Sequence, residues 1–239
     1  TANVGEMKNE GVEFSINAVA VQTKDFTWQL GYNITWNSSE ITKLTVGYNP
    51  TYPGINAGSA SYDNGAVLQK HQVGSAPSTF WLYKQVYNED GTPMQNTFVD
   101  LNGDGQITEA DRYMTDKSPM PKIFMGLSSQ FTYKNWDLGF NLRANLGNYV
   151  YNAFAAENST IGNVNTSMGF LTNYDSSIYT TGFKTISNNM QRASDYFLEN
   201  ASFLKLDNLT LGYSFDKFIT EKLSGRISFS VQNVFTVTN

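Results

Sequence analysis

A chain of 239 residues has room for one large domain or two small ones, and its net charge of −5, with no long Lys/Arg cluster, speaks against a nucleic-acid partner. The absence of cysteine removes disulfides, thiolate catalysis and zinc fingers. No apolar run reaches the ~18 residues of a membrane helix, so any crossing has to be made by barrel strands.

Residues 1 to 10 show no period. The chain opens on Thr1 without an initiator Met and stops after a strand-like run, so it reads as a piece of a longer protein, whose address, if it is exported, lies upstream. From Gly11, Val12, Phe14, Ile16, Ala18 and Ala20 alternate with polar residues. After Thr23-Lys24-Asp25, Phe26, Trp28, Leu30, Tyr32, Ile34 and Trp36 do the same. Alternation of period two predicts a long hairpin with one apolar and one wet face. Residues 37–122 then read as a long excursion, irregular and rich in Gly, Asn, Ser, Tyr and Pro over 37–78, with an aromatic strand at Thr79 to Tyr87 whose Trp81, Tyr83 and Tyr87 could stack on sugar, contact a partner or pack internally.

Inside that excursion, residues 100–111 match the calcium loop D-x-N-x-D-G-x-I-x-x-x-D. Asp100, Asn102 and Asp104 offer side-chain oxygens, Gly105 makes the turn, Gln106 offers its carbonyl, and Asp111 stands at position twelve. Hard oxygen donors at this spacing favour calcium. Asp in place of Glu at the last position lowers the expected affinity to about 10⁻⁴–10⁻³ M, the range of extracellular modules. The expectation is a structural ion that stiffens an external segment.

The clearest hairpin follows. Ile123, Met125, Leu127, Ser129, Phe131 and Tyr133 alternate with small or polar residues, as do Trp136, Leu138, Phe140, Leu142, Ala144 and Leu146. A two-residue turn at Lys134-Asn135, with Asn135 at positive φ, would set Tyr133 opposite Trp136 and Leu127 opposite Leu142. Arms of 11 residues suit a tilted membrane-crossing strand, and soluble strands average about 5 to 6. Residues 147–201 form a second long polar segment. Ser202 to Phe215 and Arg226 to Val237 are two more strands, with a β-bulge expected at Asp207-Asn208 and a phase slip near Gln232-Asn233. Short turns on one side and long connections on the other place 37–122 and 147–201 outside the cell, the simplest count being no crossing within 37–122, with two further crossings as the alternative.

These pieces resemble the SusC/RagA family of TonB-dependent outer-membrane transporters. The resemblance rests on the run from Phe98 to Gly105, Pro119-Met120-Pro121-Lys122, Tyr133 to Leu138, Gly147 to Asn152, Tyr196 to Tyr213 and Gln232 to Thr236, in that order over roughly the whole chain. It implies an all-β fold: an antiparallel transmembrane β-barrel of 22 strands with an N-terminal plug, of which this chain is a C-terminal portion. It further implies a multi-pass protein in the outer membrane of a Gram-negative bacterium, in contact with its lipid. The implied partners are TonB, reached through the missing N-terminal part, and a SusD-like surface lipoprotein. The implied cargo is oligosaccharide or peptide.

An enzyme reading has little to rest on. His71 is the single histidine, no G-x-S-x-G or phosphate-binding loop occurs, and Asp175, Asp195 and Glu199 are isolated acids in polar loops. The rival reading is a soluble, secreted, carbohydrate-binding β-sandwich with a structural calcium, in which a second sheet covers the apolar stripes.

Overall fold

The computed structural model of the protein describes residues 5–45, 49, 51–59, 66–159, 176–184, 189–216 and 223–238. Fourteen strands lie among them. In chain order they are β1 Glu6–Gln22, β2 Phe26–Lys43, β3 Ile55–Ser59, β4 Val67–His71, β5 Thr79–Tyr83, β6 Gln85–Tyr87, β7 Pro93–Phe98, β8 Arg112–Met114, β9 Ile123–Tyr133, β10 Trp136–Leu146, β11 Tyr149–Tyr151, β12 Leu198–Asn200, β13 Phe203–Phe215 and β14 Gly225–Thr238. Short helices span Ala153–Asn158, Ile178–Thr181 and Asn189–Arg192. None of the described helices is long and apolar enough to cross a membrane.

Six long strands form one sheet in the order β1, β2, β9, β10, β13, β14. The sheet belongs to a unit comprising Asn9–Ser38, Met120–Asn148 and Ala201–Asn239. Its central hairpin has the register expected from alternation, with Tyr133 on Trp136, Phe131 on Leu138, Ser129 on Phe140 and Leu127 on Leu142. Two details differ from the sequence reading. The positive φ, 52°, falls on Lys134 rather than Asn135, because Asn135 is pinned to the neighbouring strand. Its carbonyl accepts from Ser214 N at 2.8 Å and its Nδ2 donates to Ser214 O at 2.8 Å. The first strand begins at Glu6, inside a segment without apolar period, because ladder hydrogen bonding does not require alternation.

The apolar face of this sheet is open. Phe14 is 54% exposed, Phe229 is 70% exposed and Val237 is 57% exposed. Stripe residues touch along the sheet instead, with Trp28 and Phe131 stacked at 5.6 Å and Phe140 at 6.3 Å from Phe131. Ser129, the one polar side chain in the hairpin's stripe, accepts the Trp28 indole N–H at 2.9 Å, so each polar group on this apolar face is paired with the other. Tyr133 and Trp136 stand exposed at the short-turn end, with the Trp136 and Tyr213 rings 4.7 Å apart. Side chains this exposed are not the covered core that a β-sandwich requires.

The bulge appears where expected: Asp207 is extra against β10, and against β14 it stands alone opposite two residues, Asn233, at φ 52°, and Val234, between the pairs Leu206–Phe235 and Asn208–Gln232.

The other unit comprises Thr1–Lys8, Ser39–Pro119 and Tyr149–Asn200 and is built differently. Its strands β3 to β8 have only three to six residues each, too short to span a bilayer. β3, β4, β5 and β8 make one small sheet, while β6 pairs with β7 and β11 with β12. Leu68, Phe80, Leu82, Phe98, Ala156, Phe183 and Phe197 close a core between them and the short helices. At its centre Gln191, fully buried, accepts from Asn96 N at 2.6 Å and donates to Gln85 Oε1 at 2.8 Å. Gln85 in turn donates to the carbonyls of Val86, Met94 and Thr97.

Candidate functional site

The wet face of the six-stranded sheet is resolved by register into rows that run across strands. One row reads Gln29, Gln130, Gly139, Thr210, Ser230, and the next reads Gly31, Ser128, Asn141, Asn208, Gln232. Neither contains a charge or an apolar side chain. Within them Asn141 donates to Asn208 at 3.0 Å, and the Thr210 and Ser230 hydroxyls are 2.9 Å apart. Together with Asn17 these amides and hydroxyls line one depression across the sheet.

Charges lie at both ends of this neutral belt and are paired. Toward the short turns, Arg226 on β14 grips Asp137 on β10 with two hydrogen bonds of 2.6 and 3.0 Å, reaching over β13. The residue beneath is Gly212, where a Cβ would collide with both the guanidinium and the carboxylate. Toward the long connections, Asp207 in the bulge receives Arg143 at 2.8 Å and Lys205 at 3.9 Å. Beyond that pair the row Thr35, Phe124, Asn145, Phe203, Thr238 puts two aromatic rings on the wet side. Sequence reasoning identified the polar face of the hairpin but not this row. Its signal was parity: Phe124 and Phe203 sit on the polar phase of strands whose other aromatics keep to the apolar phase.

The acidic loop is a chain of tight turns. Asp100 accepts from Gly103 N at 2.7 Å and Gly105 N at 2.8 Å, Asn102 from Asp104 N at 2.9 Å, and Asp104 from Gln106 N at 2.8 Å. Asp111 is buried and accepts from Thr108 N at 2.8 Å, Leu101 N at 2.9 Å and Asn102 N at 3.3 Å. The Thr108 N–H, aided by those of Asn102 and Leu101, holds this carboxyl below the ordinary carboxylate range against the opposing effect of burial. Thr108 and Asp111 form a capping box on the 3-10 turn Glu109–Asp111. The oxygen donors at positions one, three, five and seven suit calcium chemically. Among the described residues no three His, Cys, Asp or Glu side chains are grouped closely enough to hold a metal by themselves.

The other residues singled out from sequence have structural partners. Trp81 lies under Lys70, whose Nζ is 3.3 Å from the ring centroid, and under Arg112 at 3.8 Å, so its ring is engaged within the unit. Burial, and next the Arg112 charge, lowers the Lys70 pKa. Tyr83 is buried against Phe98, and Tyr87 lies 6.4 Å from Tyr196. His71 Nδ1 accepts from Ser78 N at 3.1 Å. Asp195 accepts from Gln85 N and from the Tyr113 hydroxyl, whose pKa is raised first by burial and then by that bond. Glu199 accepts from Asn152 at 2.8 Å, so these two acids serve separate partners, and Asp175 lies outside the described residues.

An open apolar face, a wet reverse and two long connections on one side are barrel-wall features, and comparison with known proteins agrees. The chain is 46% identical over its full length to the TonB-dependent receptor SusC of Bacteroides thetaiotaomicron. The chain belongs to the SusC/RagA family of TonB-dependent receptors. TonB-dependent receptor P3 of Formosa agariphila is 28% identical over 99% of the chain. The solved RagAB peptide transporter superposes with a TM-score of 0.70 over 99% of the chain at 24% identity, a likeness of fold. No protein-family model matches. The chain spans about a quarter of the length of these relatives: 24% of SusC, 25% of P3 and 26% of the RagAB chain. As a SusC/RagA segment, the six-stranded sheet is a stretch of barrel wall, and the family's proteins reside in the outer membrane.

Proposed function

We propose that the whole protein imports oligosaccharides across the outer membrane, energised by TonB through its N-terminal part and working with a SusD-like lipoprotein that meets the long connections on the cell exterior. The observation that carries this reading is the sheet with two solvents: an apolar face half or more exposed at Phe14, Phe229 and Val237, and behind it a wet face whose two central rows hold only amide and hydroxyl side chains and glycine. RagAB transports peptides, and peptide is the competing cargo. The neutral rows favour polyhydroxylated cargo, because amide and hydroxyl side chains match sugar hydroxyls as donors and acceptors, whereas charged peptide termini call for fixed counter-charges. Deletion of the gene should abolish uptake of neutral oligosaccharides, and a protonophore should do the same in the parent strain. Loss of peptide uptake alone would overturn the cargo assignment.

We also propose that residues 100–111 hold a structural calcium. The support is the complete oxygen-donor spacing on one short loop, whose turns already order Asp100, Asn102 and Asp104. Calcium should protect residues 37–122 from protease and Asp104→Ala should abolish that protection. Equal cleavage of the parent with and without chelator would discard the ion.

A further inference from the structure

We infer that the row Phe124, Asn145, Phe203 is a sugar-stacking subsite in the barrel wall, at the end from which the long connections leave. The inference rests on the oligosaccharide reading above and adds the residues that would hold the cargo. Three observations carry it.

First, the two rings break the rule of their own face. Every other position in the five wet rows that cross β2, β9, β10, β13 and β14 is Thr, Ser, Asn, Gln, Gly or a charged residue, yet Phe124 is 37% exposed there. An apolar ring turned to the aqueous side loses burial and gains nothing from lipid, so it is placed for something that arrives from solution.

Second, the rings are spaced. Asn145 pairs with Phe124 on one side and Phe203 on the other, so the two aromatics stand two strand spacings apart, about 9.5 Å, with an amide between them. Sugar rings offer apolar C–H faces to an aromatic plane and hydroxyls at their edges. A pair of rings bracketing an amide answers both.

Third, the polar neighbours are held in place. Arg143 is one row below Asn145, with its guanidinium carbon 5.4 Å from the Phe203 ring centroid and its Nε bonded to Asp207. Asp207 also faces Lys205. Arg143 and Lys205 share the one Asp207 carboxylate, and the exposed N–H groups of a half-exposed Arg143 remain available to hydroxyl oxygens.

The test uses the full-length protein in detergent, titrated with neutral glucan, mannan and galactan hexasaccharides. With the hexasaccharide that the parent binds, Phe124→Ala and Phe203→Ala should each weaken binding about fivefold to tenfold. Phe203→Leu, which keeps the apolar volume and discards the flat ring, should lose as much, while Phe229→Ala on the opposite face should bind as the parent does. Parent-like affinity in both alanine variants, or in Phe203→Leu, would overturn the subsite and leave the cargo reading standing. A parent that binds none of the three hexasaccharides would overturn the cargo reading and the subsite with it.

Discussion

In the unit formed by the long connections, Leu82, Ala156 and Phe183 are 0 to 1% exposed, and a glutamine pair closes the centre. In the sheet unit, Ala144 is the one buried apolar side chain among the described residues, and Phe229 and Ile227 are about 70% exposed. The same residue types are used in both. The difference lies in what completes the burial: neighbouring elements in the first unit, and in the second the lipid of the proposed outer-membrane barrel. Exposed aromatics therefore mark incomplete packing in one setting and a finished surface in the other.

The contrast can be broken most severely inside the connection unit. Phe183→Ala should cost about 3–5 kcal/mol there. It should erase hydrogen-exchange protection of Thr79–Tyr83 and Ala153–Asn158 while Ile123–Tyr133 and Trp136–Leu146 keep theirs. Loss of protection in both units together would show that they do not fold separately. Next comes a pair of neighbours on opposite faces. Phe140→Arg, at the middle of β10 in the apolar stripe, should destabilise the membrane-embedded protein by about 2–4 kcal/mol. Asn141→Arg on the wet side should change stability by less than about 0.5 kcal/mol. Equal effects, measured by denaturant unfolding in bilayers, would refute the two-solvent sheet.

A smaller effect is expected from Trp28→Phe, which keeps the stacking on Phe131 but strips Ser129 of its donor, at about 1 kcal/mol. The last is a pH effect. Because the folded Asp111 carboxyl titrates below its unfolded value of about 3.9, its contribution is present above that pH and is lost as the pH falls through the lowered folded value. Exchange protection at Leu101, Asn102 and Thr108 should fall on acidification below about pH 4 while the β9 to β10 ladder stays protected. Protection at those three amides that is insensitive to acid would remove Asp111 as their anchor.

Much of the sheet was legible because its physics is local in sequence. Period-two alternation named the stripes, the turn length set Tyr133 against Trp136, and the phase change between Leu206 and Leu209 located the bulge. The start of β1 was not legible, since its first residues pair without alternating. The Lys134 turn conformation depended on a contact to Ser214, 80 positions away from it in the chain.

The chain alone determined which side of each strand prefers water, how long each arm is, and that residues 100–111 carry a hard-oxygen spacing, because each of these depends on residues a few positions apart. Tertiary structure decided which side chains meet across strands. Asp137 finds Arg226 only because Gly212 leaves the space between them, Trp28 finds Ser129, and Phe124 and Phe203 come to flank Asn145. Those encounters join residues up to about a hundred positions apart, and the register of the ladder of backbone hydrogen bonds is what selects them.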